Sequence, residues 1–467
     1  MTSIDPGIFK AYDVRGIYPE QLDEQLAYQI GRAFALVLAD FKRGGTGSGA
    51  GSANGDTSGL RVAVGHDMRL HSPTLAKEFC RGLTDQGCEV LHIGMVGTEM
   101  VYYAIGSRGF DGGASVTASH NPKAWAGIKL LREGALALSG EEGIQDVRRL
   151  VEAGDFAEPP AKGMLREANI YEEFQHFALD FIEGDVIRPM EIVLDGGNGM
   201  AGPMIGPIID SFPVAEDRLY FEPNGEFPDH EPNPLLEENR RLIMETVLDK
   251  QAELGIAWDG DADRCFFIDD NGEFVPGDFL TALFAEAILA KEPGATILYD
   301  VRASRVVPDT IKRCGGRPVV NRVGHAFFKK RMREENAVFG GEVSGHYYFR
   351  DFWCADSGVV PALLVLELLS VREKTMAELL APLRHRYFIS GEINSEVEGK
   401  DAKMKELAEI YSDGDVSWLD GVSVDYDDWH FNVRPSNTEP LLRLNLEAFT
   451  QEDMEARTEE VLRTIRS

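Results

Sequence analysis

The sequence predicts an α/β protein, with three α/β units in series followed by a smaller α+β domain. Three observations carry this expectation. An apolar strand followed by helix and strand signals begins near Val62, and the pattern restarts near Ile192 and Ile297, roughly a domain length apart. The tail differs, with short alternating runs of the kind that half-buried antiparallel strands produce. The chain has 467 residues, more than the roughly 250–300 that one core accommodates. The expected domains are residues 1–163, 164–271, 272–383 and 384–467.

Along the chain, Leu22, Leu26, Ile30, Phe34 and Leu38 recur every four residues and mark an amphipathic helix. Residues 44–59 are all Gly, Ser, Thr, Ala, Asn or Asp, which reads as a flexible insertion with nothing to bury and predicts disorder. It lacks the Gly-Lys-Ser/Thr ending of a phosphate loop. A strand is expected at 60–64. A helix follows with Ser72 as N-cap, Pro73 at its first position and Leu75, Phe79 and Leu83 as its stripe. Further strands are expected at 89–93, 113–117, 191–195 and 296–300. In the tail, a helix bearing Met376, Leu379 and Leu380 leads into 388–397. A charged helix at 400–410, strands at 422–424, 430–433 and 441–446, and a last helix complete it.

Composition narrows the function. Asp plus Glu number 78 against 47 Lys plus Arg, a formal charge of -31, which disfavours nucleic acid and anionic membrane as partners. An anionic substrate must then be gathered by a local basic cluster. The five cysteines are scattered without a CxxC pair, which predicts reduced thiols, a cytoplasmic location and no thiolate metal site. No apolar run reaches the ~18 residues of a membrane span, and residues 1–6 show no signal-peptide pattern. The partner expected is a small molecule, and nothing in the sequence selects between a monomer and a dimer.

Four loops carry chemistry. In Thr117-Ala118-Ser119-His120-Asn121-Pro122, a serine stands at a strand end before a forced turn, as suits a rigidly held nucleophile that carries a phosphoryl group. In Trp258-Asp259-Gly260-Asp261-Ala262-Asp263-Arg264, three carboxylates at alternate positions between two strands can converge on a hard cation, Mg²⁺ or Mn²⁺. The calcium-loop reading fails, because position six is Arg264 and position twelve is Asp270. Arg264 is placed to hold a phosphate oxygen or to anchor the loop. Around Gly341-Glu342-Val343-Ser344-Gly345-His346, a carboxylate beside a hydroxyl can bind vicinal sugar hydroxyls, although a plain turn fits equally. Arg434-Pro435-Ser436-Asn437-Thr438-Glu439-Pro440 offers a guanidinium, hydroxyls and an amide to a phosphate. A phosphorylated sugar satisfies all four loops.

These stretches, together with residues 10–16, resemble those of the α-D-phosphohexomutase superfamily in the same order, and are most similar to its bacterial phosphomannomutase/phosphoglucomutase branch. The insertion at 44–59 is the main departure and touches no motif. The resemblance implies a heart-shaped protein of four domains around a central cleft, three of them α/β with mixed sheets. It implies that Ser119 is phosphorylated in the resting enzyme and that Ser119, Asp259, Asp261 and Asp263 hold Mg²⁺. A hexose 1,6-bisphosphate then serves as intermediate and activator, turning over in the cleft while the last domain moves about a hinge near 383–387. By the same resemblance Arg434, Ser436, Asn437 and Thr438 grip the phosphate that is not reacting, and Glu342 and Ser344 hold sugar hydroxyls. Tyr12, Arg15, His120, Lys129, Arg302, His325 and His346 match other cleft positions. Arg302 stands where many relatives carry Lys, which puts a proton-donor role there in doubt. Lys129, His325 and His120 are the candidates for general acid and base, with Arg15, Lys129 and Arg264 neutralising charge on the transferred group. Within this resemblance a phosphoglucosamine mutase is the alternative, disfavoured by Val343 and Asn437. Outside it stand a Mg²⁺-dependent phosphoserine-type sugar phosphatase and a silent sugar-phosphate binding protein.

Overall fold

A computed structural model describes residues 4–45, 56–140, 142–436 and 441–467. The chain divides into two compact units: unit 1 comprises Met1–Phe274 and His346–Glu373, and unit 2 comprises Val275–Gly345 and Lys374–Ser467.

Unit 1 begins with β1 (Val14–Ile17), α1 (Glu24–Lys42), β2 (Arg61–His66), α2 (Ser72–Asp85), β3 (Glu89–Met95), α3 (Thr98–Arg108), β4 (Gly112–Val116), β5 (Trp125–Arg132), β6 (Leu136–Ala137), α4 (Ile144–Ala153) and β7 (Leu165–Glu167). Its first sheet runs β1-β5-β4-β2-β3-β7 and is mixed, with β4, β2, β3 and β7 parallel and β5 antiparallel to both β4 and β1. The predicted four-residue stripe lies on α1, whose N-cap Asp23 accepts the Leu26 N–H at 2.8 Å. Such a cap is worth about 1 kcal/mol. Helices α1 and α2 cross at two glycines. A Cβ on Gly82 would lie 2.1 Å from Tyr28 O, and one on Gly31 2.4 Å from Phe79 O. The expected capping of α2 is not observed. Ser72 lies inside the helix after His71, and its hydroxyl goes to Asp67 Oδ1 at 2.6 Å, since that buried carboxylate is the stronger acceptor within reach. Of the insertion, residues 46–55 lie outside the described residues. Its end is not devoid of burial, because Thr57 is 1% exposed and its hydroxyl donates to Gln86 O.

The second sheet of unit 1 repeats the pattern. It is built from α5 (Tyr171–Leu179), β8 (Glu191–Asp195), α6 (Ala201–Ile209), β9 (Ala215–Leu219), α7 (Glu237–Lys250), β10 (Leu254–Trp258) and β11 (Cys265–Asp269). Strands β9, β8 and β10 are parallel and β11 runs back antiparallel, as β3, β2, β4 and β5 do in the first sheet. The chain passes into unit 2 at β12 (Phe274–Val275) and continues through α8 (Gly277–Lys291), β13 (Thr296–Asp300), α9 (Val306–Arg313), β14 (Arg317–Asn321), α10 (His325–Glu335) and β15 (Phe339–Gly341). Parallel β14, β13 and β15 restate the three-strand core a third time. The triplication, faint in the sequence, is plain in the topology. The chain then returns to unit 1 as the antiparallel pair β16 (Tyr347–Phe349) and β17 (Ala355–Ser357) and the apolar α11 (Val359–Arg372).

The tail, in unit 2, comprises α12 (Met376–Arg384), β18 (Phe388–Ile389), β19 (Ile393–Glu396), α13 (Lys400–Ile410), β20 (Asp415–Ser417), β21 (Val422–Asp425), β22 (Trp429–Pro435), β23 (Leu441–Ala448) and α14 (Gln451–Arg466). The segment expected as one piece at 388–397 is two strands, both antiparallel to β23. Left-handed Gly391 breaks it, and Ser390 satisfies the backbone there by donating its N–H to Leu446 O at 2.8 Å. Apolar residues alternating along β21, β22 and β23 form a core with Met404 and Leu407 of α13 and Val461 and Ile465 of α14. Each such side chain, fully buried, contributes about 1.5–3 kcal/mol. Among the described residues no helix is long and apolar enough to cross a membrane.

Candidate functional site

In unit 1, β4 ends at Val116 and the backbone turns sharply. Asn121 N donates to Ala118 O at 3.0 Å, and Thr117 Oγ1 accepts the Ser119 N–H at 2.8 Å. Ser119 itself is left-handed, φ +50°. For a residue with a Cβ this costs roughly 1–2 kcal/mol, so the surroundings must hold it. Its hydroxyl is 4% exposed with the rest of the residue, donates to Asp259 Oδ2 at 2.8 Å and lies 3.1 Å from His120 Nδ1. Burial, reinforced by the charges of Arg264, Arg15 and Lys129, pushes the His120 pKa well below the usual imidazole value. A neutral imidazole therefore stands beside the serine oxygen.

The aspartate loop joins β10 to antiparallel β11, a tight return that aims its alternate side chains inward. Asp259, Asp261 and Asp263 are at most 1% exposed, and their ligand atoms lie within 4.8 Å of one another. Arg264 anchors the loop, giving its N–H to Asp259 Oδ1 at 3.2 Å and its Nε to Asp259 Oδ2 at 2.8 Å. Lys129, on β5, bridges Asp261 Oδ2 at 2.7 Å and Asp263 Oδ2. Burial pulls the Lys129 pKa down, but the two aspartates outweigh it and hold the ammonium above its usual range. Burial, opposed by Arg264 and assisted by Asp263 and Asp261, pushes the Asp259 carboxyl up to about 7. Asp261 Oδ1 and Asp263 Oδ1 are buried without a hydrogen-bond partner among the described residues. Buried carboxylate oxygens in that condition are costly, and an all-oxygen donor set suits a hard divalent cation such as Mg²⁺. The residues present therefore fit the metal that the resemblance implies.

Other predicted residues gather here too. Arg15, on β1, pairs with Asp13 and with Asn121 Oδ1 of the serine loop. Tyr12 lies half-buried in the bend before β1. His346 Nε2 is 3.7 Å from Asp263 Oδ1 and 3.7 Å from Asp356 Oδ2, and burial lowers its pKa to about 4.

Unit 2 holds the second set. Arg302 follows β13 and grips Asp300 at 2.8 Å, with Glu342 at 3.8 Å and Glu392 at 3.7 Å. Glu342 is 1% exposed and accepts the Gly324 N–H at 3.0 Å. Ser344 is half-buried in the same turn, and His325, also half-buried, opens α10. Arg434, at the end of β22, is 8% exposed and 3.8 Å from Glu392, which also pairs with Arg443 at 3.1 Å. Burial, then the neighbouring Arg302, lowers the Arg434 pKa. Ser436 donates its N–H to Leu441 O at 2.8 Å. Asn437 and Thr438 lie outside the described residues.

Three residues escape the sequence reading. Arg69 is fully buried and donates to Ser119 O at 2.7 Å and Asn121 O at 2.6 Å. Thr98, at the start of α3, gives its N–H to Asp261 O at 3.1 Å and its hydroxyl to Asp261 Oδ2. Glu392 gathers three arginines. For Arg69 a signal existed, since Asp67 and Arg69 flank one residue at a strand end, but an acid–base pair in a turn is ordinarily a solvated surface feature.

Models of the phosphoglucomutase/phosphomannomutase family match in sequence order: its alpha/beta/alpha domains I, II and III at residues 6–158, 172–272 and 276–387, and its C-terminal domain at 392–464. A phosphomannomutase of Escherichia coli is 40% identical over 465 residues, covering 97% of this chain and 98% of the relative. Phosphohexose mutases of Xanthomonas campestris pv. campestris (strain B100) are 41% identical over 465 residues, covering 98% and 99%. The crystal structure of a phosphoglucomutase/phosphomannomutase family protein from Burkholderia thailandensis superposes with a TM-score of 0.87 at 30% identity, covering 99% of this chain and 97% of the other. With four family domains in order and near-complete relatives at this identity, the chain belongs to the phosphoglucomutase/phosphomannomutase family and is a phosphohexomutase, an isomerase that moves a phosphoryl group within a sugar phosphate.

Proposed function

We propose that this enzyme interconverts hexose 1-phosphates and 6-phosphates of mannose, glucose or both, through phosphorylated Ser119 and a hexose 1,6-bisphosphate. The observation that carries the reading is the Ser119 hydroxyl, 2.8 Å from Asp259 Oδ2 among three buried aspartates, with His120 Nδ1 at 3.1 Å. Phospho-Ser119 gives its phosphoryl group to the free hydroxyl of a bound hexose phosphate. The bisphosphate turns around, and its other phosphate returns to Ser119. His120 is placed to hold the proton at the serine oxygen. Asp259, Asp261, Asp263 and Ser119 would hold Mg²⁺, which neutralises charge on the transferring oxygens when bound. Lys129, Arg264 and Arg15 supply fixed positive charge around the same group. Glu342 and Ser344 take sugar hydroxyls. Arg434, with Ser436, Asn437 and Thr438, grips the phosphate that is not reacting, Tyr12, Arg302 and His346 complete the binding set, and Lys129 and His325 are the candidates for general acid and base at the sugar oxygen. The resemblance to relatives called phosphomannomutases favours mannose. The five free thiols, four of them buried, suit a reducing cytoplasm.

A coupled assay with Mg²⁺ and a trace of hexose 1,6-bisphosphate tests this, comparing mannose, glucose and glucosamine 1-phosphates with Ser119→Ala as control. Conversion of the mannose or glucose ester to its 6-phosphate, lost in the variant, is expected. Preference for the glucosamine ester would make it a phosphoglucosamine mutase. Release of inorganic phosphate would make it a phosphatase, and binding without turnover would leave a silent sugar-phosphate binder.

A further inference from the structure

We propose that Arg69 is a positioning residue for phosphoryl transfer, holding Ser119 in its left-handed conformation through the serine's own carbonyl oxygen. The inference rests on the reading of Ser119 as the phosphoryl carrier. Ser119 is held at two backbone atoms: its N–H by Thr117 Oγ1, and its C=O by Arg69 Nη2 at 2.7 Å. The same guanidinium continues along the loop, with Nη2 donating to Asn121 O at 2.6 Å and Nη1 to Pro122 O at 3.0 Å and Trp125 O at 3.3 Å. One rigid fork thus fixes the carbonyls on either side of His120. A lysine ammonium, a point donor on a flexible stem, cannot span them.

The fork is itself fixed. Its charge is met by Asp67 Oδ2, 3.2 Å from Arg69 Nε, and both side chains are fully buried. Asp67 Oδ1 accepts from Arg69 N at 3.0 Å and Ser72 Oγ at 2.6 Å, and Asp67 N is tied to Val116 O at 3.0 Å, the last residue of the strand that delivers Ser119. Phe227 covers the guanidinium, its ring centroid 5.0 Å away. On the far side of the serine carbonyl the aspartate loop is pressed close, for a Cβ on Gly260 would come within 2.6 Å of Ser119 O. That oxygen therefore has Arg69 as its donor, with no room for a side chain at position 260 to take over. Burying a charge is expensive, and a neutral donor would satisfy one carbonyl more cheaply. What the arginine adds is simultaneous control of four carbonyls.

The test uses full-length wild type, Arg69→Lys and a paired Asp67→Asn/Arg69→Gln variant, each checked for folding by circular dichroism. Wild type incubated with glucose 1,6-bisphosphate should gain one phosphoryl group on Ser119 by peptide mass spectrometry. No phosphoserine in wild type would overturn the carrier reading, and this inference with it. Where wild type is phosphorylated, single-turnover transfer from phospho-Ser119 to glucose 1-phosphate should fall about 100-fold in Arg69→Lys, the cost of a displacement near 1 Å. KM should stay within about threefold, and direct Mn²⁺ binding should be unchanged. A folded Arg69→Lys that transfers at the wild-type rate overturns the proposal. Should that variant not fold, the paired Asp67→Asn/Arg69→Gln variant decides, because it removes both buried charges together and leaves a single neutral donor where the fork spanned four carbonyls. Slowed transfer with unchanged KM supports the proposal, and unchanged transfer overturns it.

Discussion

Ser119 Oγ donates a 2.8 Å hydrogen bond to Asp259 Oδ2 across 140 residues of sequence, so the serine loop and the aspartate loop form one constellation. The same Asp259 oxygen takes Arg264 Nε at 2.8 Å, which makes this carboxylate the joint between the hydroxyl and the loop's own anchor. Asp259→Asn keeps the shape but removes the charge. It is expected to weaken direct Mn²⁺ binding, followed by electron paramagnetic resonance, by at least about tenfold, the effect of 1.4 kcal/mol. Unaltered Mn²⁺ affinity would remove Asp259 from the proposed metal set.

The orphaned Asp261 and Asp263 oxygens predict that a divalent cation stabilises the fold. Saturation to about 100 times Kd adds roughly 2.7 kcal/mol to unfolding. Differential scanning calorimetry should show a melting temperature that climbs with Mg²⁺ in wild type and stays flat when Asp261 and Asp263 are both changed to Asn. A flat response in wild type would show that the cluster takes no cation.

Arg434 is nearly buried, and its one ion pair among the described residues is the 3.8 Å contact with Glu392. A planar fork there suits a phosphate better than a carboxylate at that distance. Arg434→Ala should raise KM for glucose 1-phosphate by about 10–100-fold, the loss of a charge-assisted bond of ~1.5–3 kcal/mol. A mostly intact KM with kcat reduced would assign Arg434 to the chemistry rather than to binding.

Glu447, on β23, is pushed up to about 8 by burial and by Asp278 at the start of α8, against hydrogen bonding from Ser304 and the Arg305 N–H at 3.2 Å; His430 Nδ1 faces it at 3.7 Å. A raised folded pKa means that the fold binds the proton more tightly than the unfolded chain. The stabilisation is complete below the unfolded value near 4.5 and is lost as pH rises through about 8. The opposite case is His430, lowered to about 4 mainly by burial, whose contribution is present above 6.5 and lost as pH falls toward 4. Glu447→Gln mimics the protonated acid. It should melt roughly 3 °C or more above wild type at pH 8, about 1 kcal/mol for a unit of this size, and equal to it at pH 4.5. The same pH slope in both proteins would mean that Glu447 is ionised in the fold.

Gly82→Ala places a Cβ 2.1 Å from Tyr28 O, a backbone atom on a buried helix. The helices must separate, at a cost of about 1–3 kcal/mol, and urea unfolding should show a lower midpoint with an unchanged slope. A midpoint equal to wild type would mean that the crossing relaxes freely.

Strand and helix signals were strongest where one residue type repeats at a fixed period. The four-residue stripe of α1 and the alternation along β21 to β23 depend only on near neighbours, and both were readable. Ser72 shows where local reasoning stops. Its N-cap chemistry was sound, but Asp67, five residues back and buried, offered the hydroxyl a stronger acceptor. The split at Gly391 followed from strand pairing, since Ser390 found its partner at Leu446. The Asp67–Arg69 signal and Glu392 were not decisive, because a charged residue in a turn or after a glycine looks solvated until the sheets enclose it.

By itself the sequence determined the local chemistry: the serine before its turn, three aspartates at alternate positions between two strands, an arginine-led polar loop, and the α/β rhythm that carries them. Only the tertiary structure decided the pairings: Ser119 with Asp259, Lys129 across Asp261 and Asp263, and Arg69 beneath the serine loop. The reason is physical. A residue's type and its neighbours set what it can bond, but a buried charge or hydroxyl takes the partner that strand order and loop closure bring within 3 Å or so, and that choice is made by groups far away in the chain.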